Sequence, residues 1–162
     1  MLMLLFRIGD SRYALDTKSV VEVIPKVELT KIHGTSSIIA GLFNYQGHIV
    51  PVINLSQILG DISQQATLST RIILINQNQN GGSPQLLGLL AEQVTETLDS
   101  TQVTYTAENT LLHKSSYLDG ILLQQQEMIQ YLKVDHLLSR QEYTRELSKI
   151  GISQMGEKES FG

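Results

Sequence analysis

The sequence predicts a mainly β protein built as two small barrel-like lobes of similar topology, and three observations lead there. Apolar residues come in short runs closed by glycine, proline or turn-type polar residues, too short for most helices. The central stretch Gly41 to Leu55 alternates side chains as a strand does, after a tight turn at Gln46-Gly47. The second half of the chain then repeats the pattern of the first, in the same order.

The elements follow in order. Met3 to Ile8 is an apolar run, Gly9-Asp10-Ser11-Arg12 has turn chemistry, and Tyr13-Ala14-Leu15 resumes a strand, which makes a hairpin. Asp16 starts a short turn before Val20 to Ile24, and Pro25 closes that strand. Lys26 to Ser37 is a polar connection. It leads to the central hairpin, where Gly41 to Tyr45 forms one strand and His48 to Leu55 the other. On the second strand His48, Val50, Val52 and Asn54 alternate with Ile49, Pro51, Ile53 and Leu55; Pro51 has no N–H for a ladder and requires a bulge or an open edge. Residues 61–69, rich in Gln, Ser and Thr, read as a linker between repeat halves spanning about 3–60 and 70–139.

In the second half, Arg71 to Ile75 supplies a strand, and residues 77–85 a long polar hairpin loop. Leu87 to Leu98 lies over Tyr13 to Ile24 without a gap, so that Val94 stands where Val20 does. Gly120-Ile121-Leu122 and Met128 to Leu138 lie over Gly41-Leu42-Phe43 and Ile49 to Leu59, again at one constant offset. Thr106 to Leu118 has room for a helix. The better-signalled helix is C-terminal, with Ser139-Arg140-Gln141-Glu142 as a capping box, Tyr143, Leu147 and Ile150 on one face, and Gly151 as its end. Residues 1–150 thus form one domain, and 151–162 read as a mobile tail.

Composition narrows the function classes. Hydrophobic residues make up 41% and charged residues 17% of 162, enough for a sizeable core. With no cysteine there are no disulfides, thiolate metal sites or cysteine nucleophiles. A net charge of -4, with six tyrosines and three phenylalanines as the only aromatics, argues against a basic, aromatic-lined nucleic-acid surface. The apolar start, Met1 to Phe6, is cut off by Arg7; it is too short for a signal core or a membrane span, so the expected location is cytoplasmic without direct membrane insertion.

Chemistry is sparse. The chain lacks a phosphate-binding glycine-lysine loop, a dinucleotide fingerprint, a His-Glu-x-x-His zinc motif and a serine elbow. His33, His48, His113 and His136 show no metal-ligand spacing, and Glu92 with Glu96 reads as a solvated strand face rather than a catalytic pair. The expectation is no catalytic residue, no metal and no cofactor.

The central hairpin, Gly-Leu-Phe-Asn-Tyr-Gln-Gly-His-Ile-Val-Pro-Val-Ile-Asn-Leu, resembles the signature of the CheW-like coupling proteins of bacterial chemosensory arrays: Gly41, Asn44, Gly47, Pro51, Val52 and Leu55 fit it. Phe6, Ile8, Gly9, Tyr13, Ala14, Leu15, Asp16, Val20, Glu22 and Val23 fall on or near the family's first motif. The resemblance spans about Met3 to Leu138 and departs at two charged positions, where Gln46 replaces an arginine and Asn54 an aspartate.

The resemblance implies paired SH3-like five-stranded barrels in a CheW-like arrangement, with a short C-terminal helix. It also implies a non-enzymatic adaptor between a chemoreceptor's cytoplasmic signalling tip and the regulatory domain of a CheA-type histidine kinase. By resemblance, receptor contact falls at Val20, Glu22, Gly41 and Gln46, and kinase contact at Gly47, Gly88 and Gly120. Whether other CheW-like domains join it in rings is left open. In the family, Glu22 would pair with the arginine that Gln46 replaces. Gln46 and Asn54 together therefore suggest a partner surface retuned toward neutral contacts, or a scaffold or inhibitor that binds the kinase and no longer engages receptors.

Overall fold

The computed structural model describes residues 1–60, 68–77, 85–106 and 118–134. Strands β1 (Leu2–Ile8), β2 (Ser11–Asp16), β3 (Val20–Pro25), β4 (Ile39–Tyr45) and β5 (His48–Asn54) precede a short helix, α1 (Leu55–Leu59). Strands β6 (Arg71–Asn76), β7 (Leu86–Ala91), β8 (Gln93–Asp99), β9 (Thr104–Thr106), β10 (Leu118–Gln124) and β11 (Glu127–Leu132) follow. The C-terminal helix from Ser139, the tail 151–162 and linker residues 61–67 lie outside the described residues. So does 107–117, most of the other helix expected; its end residues Thr106 and Leu118 belong to β9 and β10.

The strands form two sheets, ordered β8-β1-β2-β11-β10-β9 and β3-β6-β7-β5-β4. The lobes are therefore not the sequence halves. The hairpin β1–β2 pairs into the sheet of second-half strands, and the hairpin β6–β7 into the sheet of first-half strands. Each exchange is closed by one parallel contact, Gln130 and Tyr131 on Tyr13 and Ala14 in one lobe, Val52 to Asn54 on Gly88 to Leu90 in the other.

The register shows like features at matching places in the two sheets. Gly41 faces Val52 as Gly120 faces Tyr131. A bulge between Val20 and Glu22 against β6 matches one that skips Thr95 between Val94 and Glu96 against β1. The first sheet has six strands rather than the five expected, because the three residues of β9 add to β10.

Exchange explains the two densest apolar runs. Leu4, Phe6 and Ile8 of β1 join Ile73 and Ile75 of β6 in one core drawn from both sheets, whereas Met3 and Leu5 join Leu98, Leu122 and Ile129 inside one lobe. A strand buried on both faces has no polar side to show, so its sequence reads as continuous hydrophobe rather than alternating. Each such Leu, Ile or Phe contributes about 1.5–3 kcal/mol by leaving water. Likewise Val50, Pro51, Val52 and Ile53 of β5 are all buried, and Pro51 lies just before the residues of β5 that pair with β7.

Asn54, the residue standing where the resemblance expects aspartate, caps α1: its Oδ1 accepts from Ser56 N at 3.3 Å and from Ser56 Oγ at 2.7 Å. An amide oxygen does this as a carboxylate would, so the substitution leaves the helix start intact.

Candidate functional site: the β3–β4 face

The bulge at Val21 makes this surface. Strand alternation would place only one of two neighbouring residues outward, but the bulge turns both Val21 and Glu22 to solvent while Val20 and Val23 pack on the core. At the other end of the same sheet, β4 carries Gly41, Phe43 and Tyr45 at every second position, on one face of the strand. Phe43 and Tyr45 meet edge to face, with centroids 6.4 Å apart and planes at 72°. The sheet curls enough for the Tyr45 hydroxyl to donate to Glu22 Oε1 at 2.9 Å, joining the strands at the two ends of the sheet order.

This bond has an electrostatic signature. Accepting the phenol proton, the Glu22 carboxylate holds the Tyr45 hydroxyl above the usual phenol range, with lesser contributions from desolvation and from the carboxylate's charge. Tyr45 thus stays a donor throughout the neutral range.

The β4–β5 turn is a two-residue turn with positive φ at both centres, Gln46 at 50° and Gly47 at 89°. Asn44 Oδ1 accepts the Gly47 N–H at 2.8 Å and so pins the turn. Gln46 is exposed and makes no hydrogen bond among the described residues, and Ile49, just past the turn, is 62% exposed.

The residues expected at the receptor contact are only partly brought together. Glu22 is at the surface and Gln46 is exposed beside Tyr45, whereas Val20 is half-buried against the core. Gly41 lies under the connection from β3, where Thr30 exchanges both backbone bonds with Leu42 at 2.8 and 2.9 Å. A Cβ on Gly41, whose φ is +152°, would stand 2.8 Å from Thr30 O.

The residues expected at the kinase contact are scattered. Gly47 is exposed in the turn. Gly88 is not at a turn but buried inside β7, where a Cβ would meet Ile72 Cγ2 at 2.8 Å and Val52 Cγ2 at 3.0 Å. Gly120, in the other sheet, lies under the Tyr105 ring. Gly88 and Gly120 are both buried and lie in different sheets.

Tyr45 is the residue that sequence reasoning missed. Its only signal was an aromatic next to the unexpected Gln46, and its link to Glu22 depends on sheet curvature. Glu92 of the acidic segment is also engaged, accepting the Gly9 N–H at 2.9 Å to hold the β1–β2 turn. Among the described residues there is no group of three side chains able to hold a metal ion, and no helix long and apolar enough to cross a membrane.

Comparisons with known proteins agree with this architecture. The profile of the CheW-like domain matches residues 2–142. The chain is similar to the chemotaxis protein CheW of Helicobacter pylori, 24% identical over 83% of this chain and 79% of that one. It is likewise similar to the chemotaxis protein CheW of Klebsiella aerogenes, 26% identical over 86% of this chain and 82% of that one. Among solved structures, the scaffolding protein TtCheW of Thermoanaerobacter tengcongensis superposes with a TM-score of 0.71 at 26% identity, covering 87% of this chain and 94% of that chain. The chain belongs to the CheW-like family of chemotaxis adaptors.

Proposed function

We propose that this protein couples chemoreceptors to a CheA-type histidine kinase, binding the receptor's cytoplasmic signalling tip and the kinase's regulatory domain at once, without chemistry of its own. The observation that carries the reading is coverage: the family match takes in both lobes, and the relatives named as CheW are matched over about four-fifths of their length. Two interfaces of about 800 Å² per partner or less suffice for such a part, because tethering both partners raises their effective concentration. Receptor contact falls on the β3–β4 face around Glu22 and Gln46, and kinase contact on the β4–β5 turn at Gly47 and the strands packed through Gly88 and Gly120. The adaptor acts in the cytoplasm and is recruited to membrane-associated receptor arrays.

Titration calorimetry against the regulatory domain of the kinase encoded nearest the gene, then against the receptor signalling fragment, tests this. Saturable binding to both, with a ternary complex on a sizing column, is expected. Gln46, where the family has arginine, favours one second reading, a scaffold or inhibitor that binds the kinase alone; kinase binding without receptor binding would establish it. Binding to neither would refute both.

A further inference from the structure

We propose that Tyr45 is the positioning residue of the β3–β4 face: it holds the Glu22 carboxylate in place while leaving its charge uncompensated, so that this face takes a partner presenting a lysine or arginine side chain. The inference rests on the reading that this face meets the receptor, and it names the chemistry of that contact.

The family arrangement would neutralise Glu22 with an arginine at position 46. Here that position is a neutral amide, and the bond to Glu22 comes from the preceding residue, whose hydroxyl donates a proton but adds no positive charge. Among the described residues Glu22 has no cationic partner and accepts from Tyr45 alone, through Oε1. Oε2 and the remaining lone pairs are open on an exposed side chain, and a carboxylate prefers a charged donor to water where a partner excludes water.

The carboxylate is also aimed. The bulge at Val21 sets the backbone of Glu22 and the Phe43 edge contact sets the ring of Tyr45, so both ends of the hydrogen bond are held by neighbouring structure. Asn44, whose Oδ1 accepts the Gly47 N–H, alternates to the other face of β4 from Tyr45. The exposed apolar Val21, next to Glu22 in the chain, offers the water-excluding contact that such a charge pair needs.

The test measures binding of the purified receptor signalling fragment at pH 8 across a series of salt concentrations. The full-length protein is compared with Glu22→Gln, Tyr45→Phe, Gln46→Arg and the double variant Tyr45→Leu/Gln46→Arg. Wild-type affinity should fall as salt rises. Glu22→Gln should weaken binding about tenfold and flatten the salt dependence. Tyr45→Phe, which keeps the ring, should weaken it less and keep the dependence. The double variant, which restores an ion pair within the protein, should bind weakly with a flat salt response. Cooperative urea unfolding of each variant certifies its folding. If the variants match wild type in affinity and salt response, the inference fails and the receptor reading stands; if Gln46→Arg alone tightens binding, the inference fails likewise. A wild-type protein that binds the kinase but no receptor fragment overturns both.

Discussion

The β4–β5 and β10–β11 hairpins occupy equivalent places in the two lobes and have the same two-residue turn, yet they direct their polar groups in opposite ways. In the first, Tyr45 reaches across the sheet to the edge strand β3 and leaves Glu22 exposed, with charge to spare. In the second, Arg12 of the neighbouring β2 donates to Gln124 Oε1 at 3.2 Å and pairs with Glu127, so the flanks of the turn are spent on holding the lobe together. Beneath the tips the equivalent glycines also differ: Gly41 is pressed by backbone, Gly120 by the end of a tyrosine ring. One backbone plan, used twice, ties Arg12 to the flanks of the turn in one copy and, among the described residues, leaves Glu22 without a cation in the other.

The largest expected effect comes from the glycines. Gly41→Ala sets a Cβ against the Thr30 carbonyl at a φ that side chains avoid, and should cost about 2–3 kcal/mol in urea unfolding. Gly120→Ala meets the end of the Tyr105 side chain rather than backbone, and should cost less, about 1 kcal/mol. Equal costs would break the contrast between the copies.

Next is the pin of the second tip. Arg12 is 14% exposed and Glu127 62%, so Arg12→Ala should destabilise by about 1 kcal/mol, part of it lost packing of the arginine stem, with receptor binding unchanged. The turns themselves differ less. Gln126, at φ 69°, stands where Gly47 stands in the first lobe, and Gln126→Gly should relieve about 1 kcal/mol of strain and raise the urea midpoint.

The smallest effect is in pH. Tyr45 has its pKa raised in the folded protein, so what the Tyr45–Glu22 bond contributes is fully present below the ordinary phenol pKa and lost as pH rises through the raised one. Glu22→Gln should therefore move Tyr45 ionisation, followed by tyrosinate absorbance, toward lower pH, and Arg12→Ala should leave it in place.

Much of this was legible in the sequence, for local reasons. Period-2 alternation and turn residues mark strands whatever they pair with, so β1 to β8 and the repeat could be read directly, and even the bulges fall at matching places. The exchange of hairpins could not, because a run such as Leu-Met-Leu-Leu-Phe states that both faces are buried without saying by which strands. The brevity of α1 hid it in a strand-like stretch. Glu22 stood out through the family motif, but its partner did not: the expected pairing was with position 46, and only the curl of the sheet brings Tyr45 to it.

The most direct test of the contrast between the two tips is amide hydrogen exchange on the protein alone and with saturating receptor signalling fragment. The account predicts new protection in residues 20–24 and 42–49, with 121–130 unchanged. Protection confined to the β10–β11 hairpin would contradict it.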